Sequence, residues 1–268
     1  MGTRKPAVAG TFYPGDPVEL RSAIDSYSEA VPERATVIAA IVPHAGYIYS
    51  GPVVGKVISA MEIPEEVLIL GPNHTGRGAV LSLYPEGSWA TPLGEVGISE
   101  ELNRSLLAEV PGLEEDTVAH AREHCAEVQV PFLQSRRPDV RISVIIFATR
   151  RLEVLINAGE GIARALGGRP GAVVILSSSD MTHYEPHDVA KAKDQLAIDQ
   201  ILELNPEGLH RVVAERAISM CGSSPSVAAL KAANGLGASS ARLVSYRTSG
   251  EETGDHDSVV GYAGILIT

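Results

Sequence analysis

The chain alternates short, nearly unbroken apolar runs with longer amphipathic stretches. Five runs read as buried strands: "ATVIAAIV" (residues 35–42), "EVLIL" (66–70), "RISVIIF" (141–147), "GAVVILSS" (171–178) and "VVGYAGILI" (259–267), with "ARLVSYRT" (241–248) as a weaker sixth. Near-continuous rather than alternating hydrophobicity predicts strands covered on both faces. Helical patterns lie between them. Asp16 and Pro17 place a cap and an N1 proline before "VELRSAIDSYSEA". Residues 51–61 are apolar at helical spacing, and Ser99 caps "EELNRSLLAEV", with Glu100 and Glu101 favouring the N-terminal dipole. Residues 123–134, 151–166, 187–204, 206–215 and 224–233 also read as helices. This alternation predicts an α/β fold, a single three-layer αβα domain over residues 1–268 with a central mixed or largely parallel sheet. Residues 84–113, with their glycines and prolines, read as a long excursion of that domain.

Composition narrows the function classes. The formal net charge of -11 argues against a nucleic-acid partner, which needs a basic face. No segment reaches the ~18 uninterrupted apolar residues of a membrane span. Arg4 and Lys5 have no apolar run behind them, so no secretory signal is expected and the expected location is the cytoplasm. Two cysteines, Cys125 and Cys221, do not make a disulfide framework, and each by default is a small buried apolar residue.

Candidate chemistry appears at the ends of the strands. In open α/β sheets, ligands bind beyond the carboxyl ends of the strands. The first run is followed by "PHAGYIYSG" with His44, the second by "GPNHTG" with Asn73 and His74, and the fourth by "SDMTHY" with Asp180, His183 and Tyr184. A lone loop histidine is ordinarily solvated or hydrogen-bonded. Here three of eight histidines would reach one edge if the strands are parallel. Imidazoles with one acidic or sulfur ligand suit a borderline transition metal. Asp180 would complete a two-His, one-carboxylate set. Cys221, in a Cys-Gly turn before the helix near Ser224, is the other candidate, because a helix N-terminus favours thiolate. Spacing does not choose between them.

"HAREHCAEVQVPFL" (120–133) carries a second cluster. His120 and His124 have i, i+4 spacing but lack the glutamate of a zincin motif. His124 and Glu127 would share a helical face, and His120 reads as a surface or helix-capping residue. His187, His210 and His256 have no supporting neighbours and read as structural or solvated. In "GTFYPGDP" (10–17), Phe12 and Tyr13 flank a tight turn, where core packing is the plain reading.

Taken together, "AGTFYPGDP", "VPHAGYIYSG", "LGPNHTG", "EHCAEVQVPFL", "SSSDMTHY" and "SMCGSSP" resemble the Memo family, component B of the AmmeMemoRadiSam system, in order and over nearly the whole chain. The resemblance implies a fold similar to class III extradiol ring-cleaving dioxygenases. It implies a cavity with His44, His74 and Cys221 as ligands of iron(II) or copper, with zinc as a further option. It places Asp180, His183 and His124 as candidate catalytic groups and Phe12 and Tyr49 in the pocket wall. Those dioxygenases use a glutamate where this family has cysteine, and a thiolate is softer and itself oxidisable, which argues against ring cleavage. Cys125 stands where many relatives have serine, and Phe12 where some have tryptophan. The function expected from the resemblance is oxygen-dependent or redox chemistry on an unidentified substrate. The alternatives are a non-catalytic adaptor that takes a peptide or small ligand in the same cavity, and a zinc-dependent hydrolase. A working link to a radical-SAM protein is implied by association.

Overall fold

The computed structural model describes residues 2–169 and 171–268. Among these, twelve strands are formed: β1 (Thr3–Arg4), β2 (Ala39–Val42), β3 (Glu66–Pro72), β4 (Leu81–Leu83), β5 (Ser88–Thr91), β6 (Gly94–Ile98), β7 (Leu113–Glu115), β8 (Arg141–Phe147), β9 (Val173–Ser178), β10 (His183–Glu185), β11 (Ala241–Thr248) and β12 (Val259–Ile267). The helices are α1 (Pro17–Tyr27), α2 (Tyr47–Ala60), α3 (Glu100–Glu109), α4 (Val130–Arg136), α5 (Leu152–Leu166), α6 (His187–Leu202), α7 (Pro206–Glu215), α8 (Ser223–Gly235) and α9 (Gly250–Thr253).

The sheet runs β1-β5-β6-β8-β3-β9-β2-β12-β10, with β11 on β12 and β4 on β8. Strands β6, β8, β3, β9 and β2 are mutually parallel, and β12 and β11 close one side antiparallel. The pleat sends successive side chains to opposite faces. In β2, Ala39 and Ile41 pack under α3, α5, α6, α7 and α8, whereas Ala40 and Val42 pack under α1, α2 and α4. Both faces are therefore covered, giving the three αβα layers that the unbroken apolar runs predict.

Local signals set many boundaries. Asp16 accepts the N–H groups of Val18 and Glu19 and caps α1, and Ser99 accepts Leu102 N–H and caps α3. Elsewhere tertiary contacts override the pattern. The run at 35–42 is a strand only from Ala39, and Ala35 makes an isolated bridge to Met61. Helix α2 starts at Tyr47 rather than 51, because the Tyr47 N–H is taken by the Phe12 carbonyl at 2.8 Å. The helix expected over 123–134 is instead a turn, then a short 3₁₀ segment (Glu127–Gln129), then α4. The 84–113 excursion adds β5, β6 and β7 to the same sheet and sends α3 onto one face.

Candidate functional site

Strands β3, β9 and β2 are neighbours and run parallel, so their carboxyl ends open on one edge. The residues that follow them, His74, Asp180 and His44, line a single cavity of about 1080 Å³. His183, Tyr184, His124, Cys221, Phe12 and Tyr49 line it too, whereas Asn73 stays in its own turn, its Oδ1 accepting from Thr75 and Gly76. Each arrives by a different route. β10 pairs with the start of β12 and carries His183. The "FYPGDP" turn docks on the first turn of α2 and sets Phe12 4.8 Å from the His124 ring.

Cys221 precedes Gly222, the residue that starts α8. A Cβ on Gly222 would stand 2.3 Å from the Ser178 carbonyl oxygen and 2.4 Å from Ser179 Cβ. Only glycine lets this turn lie against the end of β9. The close approach brings Cys221 Sγ to 3.1 Å from His44 Nε2.

The hydrogen-bond network fixes both metal-candidate imidazoles in one form. Gln129 Nε2 donates to the Pro43 carbonyl at 2.7 Å and to Ser178 Oγ at 3.0 Å. The Ser178 hydroxyl spends its single proton on the Cys125 carbonyl at 2.7 Å. His44 Nδ1, 3.0 Å from Ser178 Oγ, must therefore be the donor of that pair. The lone pair of His44 is left on Nε2, facing Cys221. His74 has the same arrangement with a carboxylate. Its Nδ1 donates to Glu123 Oε1 at 2.8 Å and its backbone N–H to Glu123 Oε2 at 2.7 Å, which frees Nε2.

Charge states follow from burial. Burial lowers His44 to about 3, helped by the neighbouring His74, so the imidazole is neutral. Burial likewise brings His124 down to about 4, with His44 adding to the shift. For Glu123, burial pushes the carboxyl up, but the His74 hydrogen bond and the His74 and His124 charges outweigh it, and it falls to about 2. Burial raises Asp180, against the hydrogen bond its Oδ1 accepts from His44 N–H at 2.6 Å. Burial and the Asp180 charge also push the Cys221 thiol up. The helix N-terminus does not by itself make a thiolate here, contrary to the sequence expectation.

The donor atoms of His44, His74 and Cys221 all lie within 4.8 Å of one another. Ligands at ~2.0–2.3 Å from one ion sit roughly 3–4 Å apart, so this spacing suits a single metal. Two imidazoles with bare Nε2 atoms and a thiol that a cation would deprotonate also suit a borderline transition metal. A second donor set, His74, Glu123 and His124, meets the same 4.8 Å criterion.

Several sequence readings change. The sequence pattern places Glu123 simply at the start of a helix, whereas it is the carboxylate that holds His74. Its position directly before His124 is the local signal for it. His120 is fully buried, not a surface or capping residue; it packs against Tyr84 and Trp89, and Nε2 approaches the Ser82 carbonyl at 3.1 Å. Glu127 does not share a face with His124. It is buried in an ion pair with Arg4 at 2.7 Å and accepts the Tyr13 hydroxyl at 2.8 Å. His210, read as structural or solvated, and Arg150 join the cavity lining. Cys125 is the expected small buried residue, with Sγ 3.3 Å from the Pro72 carbonyl.

Comparison with known proteins shows the family and the fold. The family described as Memo-like protein matches residues 4–266. MEMO1 family protein MK0963 of Methanopyrus kandleri is 40% identical, covering 98% of each chain. The MEMO1 family protein of Ignicoccus hospitalis is 42% identical over 99% of this chain and 98% of its own. The one from Aquifex aeolicus is 41% identical over 99% of both. In fold, the chain is similar to an uncharacterized protein of Escherichia coli K12, with a TM-score of 0.54, 11% identity, and 85% of this chain and 98% of that one covered.

Proposed function

This chain belongs to the Memo family, and from that premise and its donor geometry we propose that it holds one iron or copper ion on His44, His74 and Cys221. The ion would serve oxygen-dependent or redox chemistry on a substrate bound in the cavity. The observation that carries this reading is the matched preparation of two imidazoles. Both have Nδ1 committed as a donor, to Ser178 and to Glu123, and both keep Nε2 free beside one thiol. A metal-binding histidine needs such outer partners to fix its tautomer and orientation.

The metal would supply electron transfer or oxygen activation. The chain supplies the rest. Asp180 anchors the His44 backbone. His183 donates Nδ1–H to the Ser219 carbonyl at 3.0 Å, which leaves Nε2 available to exchange a proton with substrate. His124, neutral at pH 7, is a second proton acceptor, held between Phe12 and His74. Phe12 and Tyr49 give the wall an apolar face that displaces water.

Elemental analysis of protein purified without chelator, followed by aerobic metal titration, tests the reading. One equivalent of iron or copper is expected, with His44→Ala losing it. Unchanged binding by that variant would sink the ligand assignment. Zinc with ester or amide turnover would favour hydrolysis instead. At about 1080 Å³ the cavity is at the upper end of the ~300–1,000 Å³ of small-molecule sites, large enough to admit a peptide segment as well, which is the second reading. Metal-free protein that still binds peptide would support that reading.

A further inference from the structure

Aromatic side chains are scarce in this chain, yet they gather in the cavity. Of three Phe, one Trp and eight Tyr, four residues line it: Phe12, Tyr49, Tyr184 and Tyr262. Three of these belong to one end of the row of strands. Tyr49 is on α2, which follows β2. Tyr262 is near the start of β12, which is antiparallel to β2 and so begins at the carboxyl edge. Tyr184 is in β10, which pairs with the start of β12. Burial raises the Tyr262 phenol above its ordinary range, and the neighbouring Asp180, Tyr49 and Tyr184 add to the shift, so all three stand close enough to act on it.

Tyr184 is held there in a strained conformation. It is 78% exposed, and its φ of 59° lies in the left-handed region that favours glycine. The pairing of β10 with β12 shifts register across it, between His183 and Glu185. Both flanks are anchored. The His183 N–H donates to Ser219 Oγ at 2.7 Å, and Lys193 Nζ donates to Glu185 Oε1 at 2.5 Å. Irregularities of this kind re-aim a side chain beside a site, and such strain persists where the surroundings enforce it. Asp180 adds a charge. It is 5% exposed and accepts the His44 N–H at 2.6 Å, and among the described residues no lysine or arginine pairs with it. A buried carboxylate without a cationic partner is unfavourable. Arg150, the one Arg or Lys in the lining, enters from the loop after β8, four places from β12 in the sheet order.

We propose that the cavity takes a substrate with an organic ammonium head, seated among Tyr49, Tyr184 and Tyr262 with Asp180 as its counter-charge. A cation is attracted to the negative face of an aromatic ring, most strongly where water is excluded. Several rings beside one carboxylate select a positive head over a neutral one of the same shape. The field of a chain with net charge -11 draws cations in the same sense. The proposal rests on reading the cavity as a substrate pocket, but not on which metal it holds.

Ligand-observed NMR titration of chelator-treated protein at physiological salt tests it. The probes are choline, its neutral isostere 3,3-dimethylbutan-1-ol, and ethanolamine, a primary ammonium at pH 7. At least one of the two ammonium probes should bind wild type tenfold or more tighter than the alcohol, and the tighter of them tells a methylated head from a primary one. Tyr184→Leu, at an exposed ring outside the core, should weaken that ammonium several-fold and leave the alcohol unchanged. Asp180→Asn keeps an acceptor for the His44 N–H and should erase the preference. Equal binding of ammonium and alcohol, no ammonium binding at millimolar concentration, or an intact preference in either variant would each overturn the proposal. Metal stoichiometry, measured separately, should be the same in wild type and Tyr184→Leu. If wild type takes up one metal yet shows no ammonium preference, this proposal fails while the metal reading stands. If it takes up none yet prefers the ammonium, the metal reading fails while this one stands.

Discussion

Arg4 lies at the far edge of the sheet, yet it holds together the segment that carries Glu123 and His124. Arg4 is 6% exposed, and its guanidinium stacks 4.2 Å over Trp89. Nε donates to the His120 carbonyl at 2.8 Å, Nη2 to the Glu123 carbonyl at 2.8 Å, and Nη1 to Glu127 Oε2 at 2.7 Å. Arg4→Met keeps most of the apolar stem and removes all three bonds. It leaves the Glu127 carboxylate buried with neutral donors only, the N–H groups of Ala7 and Val8 and the Tyr13 hydroxyl. Breaking a buried pair in this way costs about 3–5 kcal/mol. At ~2–4 °C per kcal/mol for a chain near this size, Tm should fall by roughly 6–20 °C. The loop that presents Glu123 loosens as well, so metal affinity should fall by about 10–100-fold, as when an outer partner of a ligand is lost. Calorimetric unfolding and competition against a chelator measure the two effects. Adding Glu127→Gln to Arg4→Met removes the stranded charge and should restore at least ~1 kcal/mol. A stability loss below ~1 kcal/mol, or a destabilised variant with wild-type metal affinity, would refute the argument that this ion pair supports the site.

Other outcomes follow from the same contacts. Ser178→Ala frees His44 to change tautomer and strands the buried Cys125 carbonyl, so metal affinity should drop by ~10–100-fold and stability by roughly 1–3 kcal/mol; chelator competition beside urea unfolding reads both. Gly222→Ala places a methyl group 2.3 Å from the Ser178 carbonyl oxygen, so the Cys221 turn must move; a loss of ~1–3 kcal/mol together with lost metal uptake is expected, and uptake at wild-type stoichiometry counts against the placement of Cys221. Burial lowers His120 to about 4, below its unfolded value near 6.5. Its contribution to stability is therefore fully present above pH ~6.5 and is lost as pH falls toward 4, about 3 kcal/mol over that window. Urea unfolding at pH 7 and 4.5 should show the loss in wild type and a shallower one in His120→Gln, and identical pH slopes would contradict it.

The sequence by itself determined the α/β layering and the main elements. A strand buried on both faces is apolar at most positions, and this leaves an unmistakable run, as in "RISVIIF". Caps such as Asp16 and Ser99 act within three residues, so they too are legible. His44, His74, Asp180 and His183 were legible because loops after parallel strands share one edge, whereas Cys221 was one of two candidates until the motif resemblance favoured it. Only the tertiary structure decided what those residues do to each other. His74 and Glu123 are 49 positions apart, and Gln129, Ser178 and His44 are brought together from three separate segments. His120 reads as an exposed polar residue until Tyr84, Trp89 and Arg4 close around it. Arg150 and His210 carry no local signal, and only the fold brings both into the cavity lining. Periodicity and capping are short-range and survive in one dimension. Tautomer, charge state and donor spacing are long-range consequences of burial, and they exist only once the chain has folded.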